Sequence, residues 1–116
     1  FPARVDDLAN YIPARLTGVL MVASAAFMGL DWRNSYRIMM EEARKTPSPN
    51  SGYPMAAAAG ALGIKLKKIG YYEIGDEIDV LSPDKIAKAV SLSKMTITLF
   101  LLSAAILYLL ILFIFL

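Results

Sequence analysis

The sequence predicts a mainly α-helical membrane protein: a C-terminal transmembrane helix, a short membrane-buried helix nearer the N-terminus, and a polar helix-loop region between them. Three observations carry this. The last 22 residues, Met95 to Leu116, contain no charge, no Gly and no Pro. As a helix they reach about 33 Å, which matches a hydrocarbon core of about 30 Å. Leu16 to Leu30 forms a second uncharged run. Finally, 57% of the residues are hydrophobic, and the mean hydropathy is positive. A signal-peptide core is shorter and N-terminal, and a helix buried in a soluble core keeps a polar stripe that Met95 to Leu116 lacks.

In chain order, residues 1 to 15 (FPARVDDLANYIPAR) read as a polar lead-in and a short helix, with Asp6 and Asn10 on one face. Leu16 to Leu30 covers only about 22 Å as a helix, short for a full crossing. It spans with help from Tyr11 to Ala14 and a snorkelling Arg15, giving a membrane helix over about residues 12–30, or it is re-entrant or buried in protein; both readings stay open. Residues 31–45 (DWRNSYRIMMEEARK) place Trp32, Tyr36, Met39, Met40 and Ala43 at helical spacing, with Arg33, Arg37, Glu41 and Arg44 largely elsewhere around the helix. That predicts an amphipathic helix whose Trp and Tyr suit the headgroup zone.

Residues 46–54 (TPSPNSGYP) predict a loop. Residues 55–63 (MAAAAGALG) predict a helix whose Ala56/Gly60 and Ala59/Gly63 pairs let a neighbour approach closely. From Ile64 to Ser82 the pattern is loop with a short hairpin. Ser82-Pro83-Asp84 then supplies an N-cap, a Pro at the first helical position and an acid in the first turn, opening a helix that runs into the final span, about residues 93–116. The polar region is therefore 31–92. Phe1 as first residue and a bare apolar Leu116 as last suggest that the 116 residues are a single membrane-associated region of a longer chain. There is no internal repeat.

The chain has no Cys and no His. Disulfides, thiol nucleophiles, histidine bases and ordinary zinc sites are thereby excluded. The remaining chemistry belongs to carboxylates, Lys, Arg, Tyr, Ser, backbone amides, or a hard cation such as Mg²⁺ held by oxygens. A net charge of +2, with basic residues scattered, does not fit a nucleic-acid partner. Residues 31–94 hold ten Lys/Arg against eight Asp/Glu, a mild bias toward the cytoplasmic side.

Two segments look unlike plain scaffold. In DDLANYIPAR, residues 6–15, Asp6, Asp7 and Asn10 offer oxygen ligands for Mg²⁺ or an ammonium group, and Arg15 suits a phosphate or carboxylate. The plainer reading is a solvated helix start whose acids complement the dipole. In the second, Ser48-Pro49-Asn50-Ser51-Gly52 feeds a helix N-terminus, a favourable place for an anion, although many such loops only cap a helix. Lys65, Lys67 and Lys68 form a small basic cluster suited to anionic headgroups or a phosphorylated substrate.

Taken together, DDLANYIPARLT at residues 6–17 and SPNSGYPxAxAGALG at residues 48–63, about 30 residues apart, resemble the CobD/CbiB family, over residues 1 to about 80. The resemblance implies a polytopic, multi-pass enzyme of a prokaryotic cell membrane, acting in cobalamin biosynthesis as an adenosylcobinamide-phosphate synthase. Such an enzyme joins a corrinoid carboxylate to aminopropanol or its phosphate, using ATP and Mg²⁺ and neither zinc nor haem. It also implies further N-terminal membrane helices as partners of this region, beside the lipid bilayer. Carried onto matching positions, Asp6, Asp7 and Asn10 are the expected catalytic residues, Asp6 and Asp7 the expected Mg²⁺ ligands, and Arg15, Ser48, Asn50, Ser51 and Gly52 the expected phosphate- or carboxylate-binding set. Thr46 stands where the family usually has His, Met55 where it has Glu, and Lys67-Lys68 where Gly-Gly is common. A non-catalytic AmpE-like membrane sensor and part of a transporter are the competing readings.

Overall fold

One continuous helix, α1 (Pro2–Phe27), carries both the polar lead-in and most of the first apolar run in the computed structural model, which describes residues 2–116. This corrects the expected division into a short helix and a separate helix over 12–30. Pro13 lies inside α1, where it lacks an N–H for the Ala9 carbonyl and its ring crowds that carbonyl, yet the helix continues; one turn on, the Thr17 hydroxyl donates to the Pro13 carbonyl at 2.7 Å. The helix also ends early. Gly29 takes φ +72°, its N–H donates to Ala26 O at 3.2 Å and that of Leu30 to Ala25 O at 2.8 Å, the Schellman pattern that stops a helix where a residue adopts the left-handed conformation.

Asp31 caps the next helix, α2 (Trp32–Glu42), its side chain accepting from Asn34 N at 3.0 Å. A single 3-10 turn, Ala43–Lys45, follows. The buried face of α2 is Ser35, Ile38 and Met39, while Trp32, Tyr36 and Met40 stay exposed. Only Met39 and Ala43 of the expected apolar face point inward, and Ile38 replaces the rest.

Helix α3 (Gly52–Leu62) begins three residues earlier than expected, so Gly52, Tyr53 and Pro54 form its first turn and not the end of a loop. It lies tightly on α2. A methyl group on Gly60 would stand 2.5 Å from Asn34 O, and two polar bonds cross the seam, Asn34 Nδ2 to Gly60 O at 2.9 Å and Ser35 Oγ to Ala57 O at 2.7 Å. The expected close approach at small residues is met by α2. Gly63, at φ +65°, closes α3, and its carbonyl accepts from the N–H groups of Ile78 and Asp79.

The expected hairpin is present as β1 (Leu66–Lys68) and β2 (Tyr72–Ile74), antiparallel with Leu66 opposite Ile74 and Lys67 opposite Glu73. Ile74 plugs into the α2–α3 core. Lys65 and Lys67 share Glu73, and Lys68 lies over the Tyr71 ring, so one of the cluster's three charges is offset. Arg37 of α2 ties the segment after β2 down through Asp76 at 2.9 Å.

Ser82 accepts from Lys85 N at 3.3 Å and opens α4 (Pro83–Phe115), a helix of 33 residues. It is the one helix among the described residues that is long and apolar enough to cross a membrane. It meets α1 through a buried hydroxyl pair, Thr96 Oγ1 to Ser24 Oγ at 3.1 Å. From Phe100 onward it is exposed.

Candidate functional site

A cleft of about 340 Å³ opens between α1 and the loop that leads into α3. From α1 come Asp6, Asp7, Asn10, Pro13, Ala14 and Thr17; from the other wall come Ser48, Asn50, Ser51 and Pro54. The α1 residues recur at three- and four-residue steps, which is one face of a helix. Two segments about 30 residues apart in sequence thus share one surface, and six of the eight expected site residues line it.

The contact between them is made by Asn50, which is 6% exposed. Its Nδ2 donates to Asp7 O at 2.8 Å, and its Oδ1 accepts from Arg15 Nη1 at 3.3 Å. Within the loop, Ser48 Oγ accepts from the N–H groups of Asn50 and Ser51 at 3.2 and 3.3 Å, and Thr46 Oγ1 donates to Ser48 O at 2.8 Å. These bonds fold the loop into a Ser-centred turn. They also use donors that were expected to be free for an anion.

Asn10 Nδ2 donates to both the carbonyl and the Oδ1 of Asp6, at 3.0 and 3.2 Å. Among the described residues, the second oxygen of Asp6, both oxygens of Asp7, the Asn10 side-chain carbonyl and the Ser51 hydroxyl have no hydrogen-bond partner. The cleft is therefore rich in acceptors and carries two carboxylates, a surface that suits a cation better than a bare phosphate.

Two expected ligands sit elsewhere. Arg15 does not line the cleft; its guanidinium lies between the rings of Tyr11 and Tyr53, 3.3 and 4.4 Å from their centroids. Gly52 is buried, and a Cβ there would meet Ala43 O at 1.7 Å, so it serves close packing of α3 on the 3-10 turn. Tyr11, Tyr53 and Thr17 are the neighbours that sequence reasoning did not assign to the site. The four-residue step from Tyr11 to Arg15 was a readable signal for the first of them.

For a metal, the test is the donor set. Among the described residues no group of three or more acidic side chains converges, so a closed protein cage is absent. Mg²⁺ commonly takes one or two carboxylates and completes its shell with water and substrate phosphate oxygens. Asp6 and Asp7 beside an open cleft fit that habit.

The family model described as CobD/Cbib protein matches residues 1–93. The probable cobalamin biosynthesis protein CobD of Methanothermobacter thermautotrophicus is 57% identical over 105 residues, covering 90% of this chain and 35% of that protein. The cobalamin biosynthesis protein CobD of Leptospira interrogans is 51% identical over 72 residues, 62% of this chain and 23% of its own length. That of Geobacter metallireducens is 57% identical over 70 residues, 60% and 22%. The chain thus spans about a third or less of the curated relatives it matches. No solved structure matches it. With most of its length under one family model and relatives this similar, the chain belongs to the CobD/CbiB family.

Proposed function

We propose that this chain is the cleft-bearing part of a membrane enzyme of cobalamin biosynthesis that joins an adenosylcobyric acid carboxylate to aminopropanol or its phosphate. One observation carries the reading: an acceptor-rich cleft with Asp6 and Asp7 on one wall, facing a loop in which the Asn50 and Ser51 N–H groups are already taken by Ser48 Oγ. A cleft of that kind receives a cation. In amide ligation the cations are the ammonium form of the amine and the Mg²⁺ that accompanies ATP.

Carboxylates are poor acyl donors, and ATP supplies the phosphoryl group that turns a carboxylate oxygen into a leaving group. The chain's own residues then have three tasks. Asp7, half-buried beside the Asn50 staple, holds the ammonium by charge-assisted hydrogen bonds and takes one proton from it, freeing the lone pair that attacks the activated acyl carbon; as the C–N bond forms, the acyl C–O bond breaks and the phosphate leaves with the second N–H proton. Asp6, oriented by Asn10, would hold Mg²⁺, which would supply neutralisation of phosphate charge when bound. The Ser51 hydroxyl, exposed on the opposite wall, donates to the substrate; with the reactants held in one orientation, the bimolecular step becomes effectively unimolecular. Helix α4 anchors the region in a cell membrane, and membrane helices of the longer protein complete the corrinoid's binding surface.

The test is amide formation by the full-length enzyme with corrinoid, amine and ATP, comparing wild type with Asp6→Asn and Asp7→Asn. Each variant is expected to lose at least about a hundredfold, the usual range for a positioned proton acceptor or metal ligand. ATP is expected to be consumed only when corrinoid and amine are both present. Near-normal turnover in both variants refutes the reading.

A further inference from the structure

Arg15 shares α1 with Asp6 and Asp7 and, among the described residues, pairs with neither; its partners are Tyr11 O and Asn50 Oδ1. Its guanidinium stacks 3.3 Å from the Tyr11 centroid and 4.4 Å from the Tyr53 centroid, which come from different helices. Nη1 donates to Tyr11 O at 3.0 Å and to Asn50 Oδ1 at 3.3 Å. The other end of the same carboxamide donates to Asp7 O at 2.8 Å. Asp7 and Arg15 are eight residues apart on α1, about 12 Å. A single buried carboxamide is therefore grasped from two points on one helix, and the grasping cation is itself held between two aromatic faces.

A planar guanidinium fits this slot in a way that an ammonium does not. It offers two faces for stacking and edge donors for the carbonyl and the carboxamide at once. Asn50 sits two residues after Ser48 and next to Ser51, and its own N–H is one of the two that fold the loop around Ser48 Oγ. The orientation of Asn50 thus sets where the Ser48 and Ser51 hydroxyls stand relative to Asp6 and Asp7.

We propose that Arg15 is a positioning residue and not a phosphate ligand. The Tyr11–Arg15–Tyr53 stack clamps Asn50 and thereby fixes the spacing between the loop wall and the carboxylate wall of the cleft. This deepens the amide-ligase reading and rests on it for its kinetic arm alone.

The test uses the full-length protein with Arg15→Lys, Tyr53→Leu and Tyr53→Phe. Arg15→Lys and Tyr53→Leu are expected to lower kcat at least about tenfold, with KM for ATP within about twofold of wild type, because misplaced groups lose transition-state alignment before they lose ground-state binding. Tyr53→Phe keeps the ring face and is expected to stay close to wild type. A rise in KM for ATP with kcat preserved in Arg15→Lys means direct phosphate contact and overturns the proposal, as does Tyr53→Phe behaving like Tyr53→Leu. A second arm needs no turnover. In a cysteine-free background, the thiol introduced by Ser51→Cys is labelled with a maleimide; adding Tyr53→Leu is expected to speed labelling at least about threefold, and adding Tyr53→Phe to leave it unchanged. An unchanged rate with Tyr53→Leu overturns the clamp whatever the assay shows. Absence of any amide product from the wild-type enzyme, with the labelling pattern as expected, removes the ligase reading and leaves the clamp standing.

Discussion

Gly52→Ala separates two roles for the glycine at the start of α3. Alanine keeps the backbone N–H, so a residue whose only task is to offer that N–H to an anion tolerates the change. The structure predicts otherwise. A Cβ on Gly52 lies 1.7 Å from Ala43 O, 2.7 Å from Ala43 C and 3.0 Å from Thr46 Oγ1. Ordinary contact begins near 3.4 Å, so the 3-10 turn and the start of α3 must part by about 1.7 Å, the difference between 3.4 and 1.7 Å. The two nearest atoms are backbone, and no rotamer change relieves them. Overpacking of this kind costs about 1–3 kcal/mol or more, against a gain of up to about 1 kcal/mol from replacing a helical glycine. Net destabilisation of about 2 kcal/mol is expected, a factor of roughly thirty in the folding equilibrium. Gly18→Ala is the control: a Cβ there meets Met39 Sδ at 2.8 Å and Tyr53 Cβ at 3.2 Å but no backbone atom closer than 3.4 Å, so the propensity gain offsets more of the crowding, and a cost of about 1 kcal/mol, below that of Gly52→Ala, is expected. Both are read by unfolding titrations of the full-length protein in mild detergent, followed by circular dichroism. Gly52→Ala unfolding at the wild-type midpoint, with only ligand affinity changed, would refute the packing argument.

Two other outcomes follow from contacts away from the cleft. Ser24 and Thr96 are 0% and 4% exposed, yet each hydroxyl also bonds a carbonyl of its own helix, Leu20 O and Leu92 O; a double-mutant cycle with Ser24→Ala and Thr96→Val is expected to give a coupling of only about 0.6 kcal/mol, and a value above about 2 kcal/mol contradicts this account. Glu73 is held below the ordinary carboxylate range, first by the hydrogen bond from Lys65 and its charge and then by Lys67, and Asp79 likewise by Lys85. A depressed carboxylate contributes stability above its unfolded value and loses it as pH falls through the folded one, so circular-dichroism melts of wild type are expected to weaken below about pH 4.3 more steeply than those of Glu73→Gln; parallel profiles contradict the pairing.

How much of this was legible in the sequence depends on what kind of contact each residue makes. The last helix was plain because an uncharged run of that length has few alternatives, and the hairpin and the Ser82 cap followed from local turn chemistry. The inward face of α2 was misread for a physical reason. In a soluble domain the large apolar side chains mark the inside, but here α2 meets α3 across Ser35, Ala57 and Gly60, and small residues with hydroxyls make the tightest seam. Trp32, Tyr36 and Met40 are consequently left outward. The division between lead-in and apolar run followed the change in composition at Leu16, but a helix is continuous in backbone hydrogen bonding and not in polarity, so α1 runs through it. Asp6, Asp7, Asn10, Ser48, Asn50 and Ser51 line one cleft, and what marked them in the sequence was the density of polar side chains in their two motifs. Arg15 and Gly52 were grouped with them by proximity in sequence. A long side chain can point back a full turn, and a glycine can be needed for what it lacks, and neither property is written in the order of residues.

The unbroken course of α1 links two parts of the molecule that share no side-chain contact. Asp6, on the cleft wall, and Ser24, on the seam with α4, are 18 residues apart, which is five complete turns at 3.6 residues per turn and about 27 Å of axis. They stand in phase on the same side of one rod. A single residue inserted anywhere between them turns one end by about 100° against the other, so Asp6 can face the Ser48 loop only while Ser24 faces Thr96. The hydroxyl pair against α4 therefore acts as the angular reference for the carboxylates, and the spacing between these two distant positions is constrained more tightly than the identity of the apolar residues that fill it.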